Sequence, residues 1–202
     1  AYFLRQLDLR GATLLVSGCA VAGQATAGPA TATMQAIVVM DGKAQLQTVP
    51  RPDPRAGQVR IKVRAAGVNP ADWKRAQREP NSGRIPGWDV SGVIDKVGPS
   101  VRDWKVGDAV IGYLEGYGGY AQYAVVPVEH IARKSDKLSF NQAAGIPLVA
   151  ATAWRALIDQ AQLRAGQTVL IQGAAGGVGS AAVQLAAARG AARIIGTAMT
   201  KR

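Results

Sequence analysis

The sequence predicts an α/β protein in two unlike parts. A β-rich partial barrel over residues 34–150 is followed, over residues 151–202, by the start of a doubly wound parallel sheet that is left incomplete. Three observations carry this expectation. Short apolar runs punctuated by glycine turns fill the middle of the chain. Near Ser139 the pattern changes from strand-like to helical. A glycine-rich turn then joins an apolar run to an alanine-rich helix, beginning near residue 168 of 202.

The barrel elements follow in chain order. Met34–Met40 reads as a first strand, and Gln58–Val68 alternates apolar and polar residues as a half-buried strand does. Val90–Val97, Ala109–Tyr113 and Tyr120–Val126 are further short strands, with turn signals at Gly98-Pro99, Gly107-Asp108 and Gly118-Gly119. Such strands suit a partly closed barrel. Asn141–Gly145 and Val149–Gln162 read as helices bridging to the second part. There, Val169, Leu170 and Ile171 suit a strand buried on both faces, Ser180–Arg189 a helix, and Arg193–Thr197 a second strand.

The turn itself is Gly173, Ala174, Ala175, Gly176, Gly177, Val178 and Gly179. Gly176 and Gly179 remove side chains that would hold backbone away from an anion and helix away from strand. The free N–H groups at the helix start, with the helix dipole behind them, then favour a phosphate. The spacing matches the dinucleotide fingerprint, with Ala174 in place of its first glycine. A site for NAD places an acid about 20 residues further on to hold the ribose hydroxyls. No Asp or Glu follows Asp159; Thr197, Thr200 and Lys201 stand in that region instead. Hydroxyls and a cation suit the 2′-phosphate of NADP, so NADPH is the expected cofactor. The other reading of Lys201 and Arg202 is a solvated chain terminus.

Composition narrows the partners. Lys and Arg outnumber Asp and Glu by 24 to 13, for a net charge of +11. With no basic run, ribonucleoprotein aromatic signature or finger spacing, the expectation is no nucleic acid, and a field that attracts phosphorylated small molecules. One cysteine, Cys19, and one histidine, His130, leave no disulfide within the chain and no conventional thiolate–imidazole zinc site. His130, between apolar residues, reads as structural. Residues 1–33 read as a leader or upstream extension. Arg5 and Arg10 precede an apolar run, small residues follow, and Val16–Cys19 is similar to a lipid-attachment box. Because the apolar run is short and Asp8 sits in the basic stretch, location is expected to be cytoplasmic, with export or lipid anchoring at Cys19 as the alternative. No run is long enough to span a bilayer.

Gly67–Lys74 (GVNPADWK), Gly87–Gly92 (GWDVSG), Val97–Val101, Lys105–Asp108, Gly119–Ala124 (GYAQYA) and Pro147–Trp154 (PLVAATAW) precede the glycine turn in order. This succession resembles the medium-chain dehydrogenase/reductase superfamily, in its zinc-independent quinone oxidoreductase and enone reductase branch, across residues 34–202. The resemblance implies a GroES-like catalytic domain over 34–150, then a bridging helix and the first βαβ unit of an NADP-binding Rossmann domain over 151–202. It also implies a homodimer for the full-length family.

Zinc-dependent members of that family carry a cysteine where this chain has Asn69, and a His-Glu pair where it has Trp88-Asp89. The implied reaction is therefore metal-free transfer of hydride from NADPH to a quinone or an α,β-unsaturated carbonyl, both already electrophilic. Asn69 would face the active-site cleft. Lys74 would stabilise enolate charge as a cationic donor. Thr152 would meet the nicotinamide carboxamide. Plainer readings stand beside each: a turn residue before proline for Asn69, a solvated side chain for Lys74, and a hydroxyl bonded to its own helix for Thr152. Asp72 either orients Lys74 or caps the turn. Tyr113, Tyr117 and Tyr120 form part of a lid or pack on strands. A complete Rossmann domain takes roughly 150 residues, so the expectation is a truncated chain, with a non-catalytic remnant or interaction domain as the alternative to an enzyme.

Overall fold

The computed structural model describes residues 32–199. Cys19, Thr200 and Lys201, with nearly all of the leader, lie outside the described residues.

Two strands open the chain: β1 (Thr33–Met40) and β2 (Lys43–Pro50), paired antiparallel. Asp41 and Gly42 join them with φ of 51° and 69°. A tight hairpin turn needs positive φ at both central residues, and Asp-Gly supplies it. The sequence pattern gave no sign of β2, because it is an edge strand in which even Leu46 is exposed.

Strands β3 (Gln58–Gly67), β4 (Asp89–Val97), β5 (Ala109–Tyr113), β6 (Tyr123–Pro127) and β7 (Ile131–Arg133) form one antiparallel sheet in the order β6-β3-β4-β5-β7. Val59, Ile61, Val90, Ile94, Val110 and Val126 are wholly buried between its curved faces. The sheet closes partly onto β1. Ala36 bridges Ala121, Ile37 N–H donates to the Tyr120 carbonyl, and Gln122 N–H donates to the Gln35 carbonyl. Residues 120–122 are used for that closure, so the expected strand from Tyr120 begins regularly only at Tyr123.

Arg60 departs from the alternating expectation for β3, since it is 6% exposed. A register shift at Arg60/Ile61 accompanies this. The guanidinium is satisfied by Asp95 at 2.9 Å, Asp53 at 2.8 Å and the Pro52 carbonyl at 3.1 Å. A buried cation needs such partners to offset its lost hydration.

Helix α1 (Pro70–Arg78) links β3 to β4, and α2 (Phe140–Ala144) leads to α3 (Pro147–Trp154), which continues as π-helical turns over Arg155–Gln160. Strand β8 (Thr168–Ile171), helix α4 (Gly177–Ala188) and strand β9 (Arg193–Gly196) complete the described chain. β8 and β9 pair parallel, with Val169 opposite Ile194. Ala153, Leu157, Ile171, Ala182 and Ala186 pack together on one side of this pair. The expectation of a strand buried on both faces is corrected here. Ile171 is 7% exposed but Leu170 is 59% exposed, because the helices cover one face and no described element covers the other.

Candidate functional site

A cleft of about 940 Å³ lies where the barrel meets α3 and α4. One wall is the β3–α1 junction with Asn69, together with Trp88 and Asp89 at the start of β4. The opposite wall is α3 and the glycine turn, with Thr152 on the first and Ala175–Val178 on the second.

The turn is built by exclusion. A Cβ on Gly179 would collide with the Gly173 carbonyl oxygen and stand 2.7 Å from the Ala174 Cα, so only glycine lets α4 sit this close to β8. Gly173 has φ of 67°, which a side chain would strain. Gly177 lies where a Cβ would approach Val149 Cγ1 of α3 to 3.3 Å. The turn is tied to β9 as well. Gly173 N–H donates to Thr197 Oγ1 at 3.2 Å and Ala174 N–H to the Thr197 carbonyl at 2.8 Å. No side chain caps α4, whose N-cap is Gly176. Its first-turn N–H groups and dipole are thus left for an anion at the cleft.

On the barrel wall, proline at the first position of α1 and Asn69 before it start the helix. Asn69 N–H donates to Asp72 Oδ2 at 2.7 Å, and Asn69 Nδ2 donates to Asp89 Oδ2 at 2.9 Å. The second oxygen of Asp89 accepts from Leu148 N–H at 2.8 Å. Asp89 is 1% exposed. Burial pushes its carboxyl up to about 6, with Asp72 adding in the same direction and the Asn69 and Leu148 hydrogen bonds opposing. Burial likewise raises Asp72, against hydrogen bonds from Tyr120 and Asn69. Tyr120 donates its hydroxyl to Asp72 Oδ2 at 2.7 Å and is itself raised, first by burial and then by that carboxylate. Asp72 Oδ1 and Trp88 Nε1 are buried without partners.

The expected site residues divide accordingly. Asn69 and Thr152 both line the cleft, and so do Ala175, Gly176, Gly177 and Val178 of the glycine turn. The Thr152 hydroxyl donates to the Leu148 carbonyl at 2.7 Å, as the plainer reading expected, and still lines the cleft. Thr197 braces the turn. Lys74 is not brought to the cleft. Two residues after buried Asp72, it falls near 200° round the helix, on the exposed face, with Nζ 5.7 Å from the Trp73 ring centroid. Asp72 accordingly caps α1 and does not orient Lys74.

The tyrosines also separate. Tyr117 lies between the Arg75 and Arg84 guanidiniums, 4.2 and 4.6 Å from its ring centroid, and its hydroxyl bonds Glu79. Tyr113 packs on Trp88 at 5.8 Å and on the His130 ring at 6.0 Å. His130 is a packing residue. Sequence reasoning missed Asp89 as a polar centre of the site. Its only signal was an acid directly before the apolar run Val90–Ile94, where a strand start is buried.

Comparison with known proteins agrees with this architecture. Residues 55–136 match the family described as alcohol dehydrogenase GroES-like domain. Human quinone oxidoreductase is 44% identical over 154 residues, covering 74% of this chain and 46% of that protein. Among solved structures, an alcohol dehydrogenase superfamily protein from Novosphingobium aromaticivorans superposes with a TM-score of 0.78 at 44% identity, covering 83% of this chain and 54% of its own. CurK enoyl reductase superposes with a TM-score of 0.71 at 33% identity, covering 83% and 54%. The chain thus spans about half the length of the relatives it matches. With a GroES-like partial barrel leading into the opening of a Rossmann sheet, the chain is similar to enzymes of the medium-chain dehydrogenase/reductase superfamily over about half their length.

Proposed function

We propose that this chain contributes the substrate-facing part and the first cofactor-binding unit of a zinc-independent oxidoreductase. The enzyme passes hydride from NADPH to a quinone or an α,β-unsaturated carbonyl. Residues 34–150 would be the catalytic domain and residues from 151 the cofactor unit. The observation that carries the reading is the uncapped start of α4 at a turn where Gly179 admits no side chain, in one cleft with Thr152 beside it and Asn69 on the barrel wall.

The residues fit a dinucleotide. Gly177, Val178 and Gly179 would offer N–H groups to its pyrophosphate. The absence of any acid after Asp159, with Thr197 at the end of β9, supports NADPH over NADH. Thr152, its proton engaged by Leu148, is left to accept from a carboxamide N–H donor. NADPH, when bound, supplies the hydride. Asn69 and Trp88 stand where metal-bearing relatives of the resembled family place zinc ligands, and this supports reduction of an acceptor that needs no Lewis acid. Asn69, rather than Lys74, is then the polar side chain a substrate carbonyl meets.

Titration calorimetry of the 202-residue chain with NADPH and NADH, followed by turnover of a quinone and an enone, tests the reading. NADPH should bind at least tenfold more tightly than NADH, an estimate from roughly 1.4 kcal/mol per tenfold. Gly179→Ala should abolish that binding, while Lys74→Ala should leave both turnover rates within about twofold, as for an exposed side chain. Binding of neither nucleotide by the wild-type chain would end the proposal.

A further inference from the structure

We infer that Asp89 is a positioning residue: one carboxylate holds both walls of the cleft, fixing the Asn69 amide with Oδ2 and the start of α3 with Oδ1. The inference rests on the reading above for its catalytic meaning, but its geometry is independent of any ligand.

Helix α3 begins at Ile146–Pro147 without a side-chain cap of its own. A helix start leaves several N–H groups unsatisfied, and a carboxylate there gains from both hydrogen bonding and the dipole. Asp89 supplies that function from 59 residues away in sequence, through Leu148 N–H at 2.8 Å. Its other oxygen receives Asn69 Nδ2 at 2.9 Å, within the barrel wall of the cleft. Both bonds are charge-assisted and lie where water has little access, so their geometry is well defined. From Leu148, α3 carries the effect onward. Thr152 lies one turn later and donates to the Leu148 carbonyl, while Val149 Cγ1 stands 3.3 Å from where a Cβ on Gly177 would lie.

The carboxylate also decides which way the Asn69 amide points. Two negatively charged acceptor oxygens require donors from both neighbours, so Nδ2 must face Asp89. An asparagine at position 89 would keep an acceptor for Leu148 but present an NH2 group to Asn69, which must then turn end for end. A carboxylate is thus needed for the Asn69 orientation, whereas any acceptor of this shape suffices for α3.

Amide hydrogen exchange and side-chain amide resonances, read by NMR on the whole chain without ligand, test this directly. In Asp89→Ala the Leu148 amide should exchange at least about tenfold faster, as expected for a lost charge-assisted bond. Unchanged exchange there overturns the inference. Should the alanine variant fail to fold, Asp89→Asn decides the matter. Leu148 protection should stay within roughly threefold of wild type because its acceptor is retained, while the Asn69 carboxamide protons shift. Unmoved Asn69 signals overturn the inference. NADPH affinity measured on the same proteins separates the two claims. Failure of the wild-type chain to bind nucleotide removes the proposed function without touching the exchange result. Binding that is equally tight in wild type and Asp89→Ala removes the coupling of Asp89 to the cofactor wall.

Discussion

The barrel and the β8–β9 unit are built from the same kinds of residue but bury them to different depths. In the barrel, Val59, Ile61, Val90, Ile94, Val110 and Val126 have no exposed surface. In the β8–β9 unit, Ile171 and Ala186 are buried under the helices, while Leu170 and Ile195 on the other face are 59% and 39% exposed. Curvature explains the difference. A sheet that coils and pairs with β1 encloses its own apolar face, whereas two flat parallel strands need layers on both sides. Structural security is therefore concentrated in the barrel, and the glycine turn depends on a thinner support that reaches the barrel through α3.

Three measurements would break or sharpen that contrast. Ile94→Ala should produce the largest loss, about 2–5 kcal/mol in urea unfolding, because the site is fully enclosed and collapses poorly. A loss below about 1 kcal/mol would show that the barrel is not the stable half.

The second lies on the seam. Burial raises Asp89 to about 6, against an unfolded value near 3.9, so it favours the folded state most fully below pH 4. That contribution is lost as pH rises through about 6, up to roughly 3 kcal/mol on full titration. Asp72 faces it from α1 and shifts in the same direction, and Tyr113 and Tyr120 stay neutral over this range. Unfolding from pH 4 to 7 should therefore show wild type losing stability relative to Asp89→Asn. Parallel curves would reject the assignment.

The smallest effect belongs to the open face. Leu170→Ser should change stability by no more than about 0.5 kcal/mol, as for an exposed position. A loss comparable to that of Ile94→Ala would mean that this face is covered in solution.

Much of this was legible beforehand, and the limits have physical causes. Strands such as Ala109–Tyr113 were readable as short apolar runs between turn signals, and the glycine turn because close backbone approach admits one residue type. The β2 edge strand left little imprint: mostly exposed, it packs only Val49 on the core beside β1, and Asp41-Gly42 was its clearest signal. Thr152 and Asn69 both line the cleft, Asn69 at the start of α1 and Thr152 within α3. Lys74 lies on the exposed face of α1, since helical geometry turns it away from buried Asp72. Arg60 and Asp89 escaped for a common reason. Burial of a charge is decided by partners far along the chain, Asp95 for one and Leu148 for the other, which local pattern cannot reveal.

The Asp89–Leu148 bond has a consequence for folding order. Its partners are 59 residues apart, so it forms only after a long loop has closed, whereas the β1–β2 hairpin pairs immediate neighbours. During synthesis β4 is complete before Leu148 exists. Until α3 docks, the nascent barrel holds an acid whose second acceptor site is unfilled, and water or a proton must occupy it. Docking of α3 is thus the step that supplies this donor, and a chain halted before residue 148 would leave Asp89 Oδ1 without it.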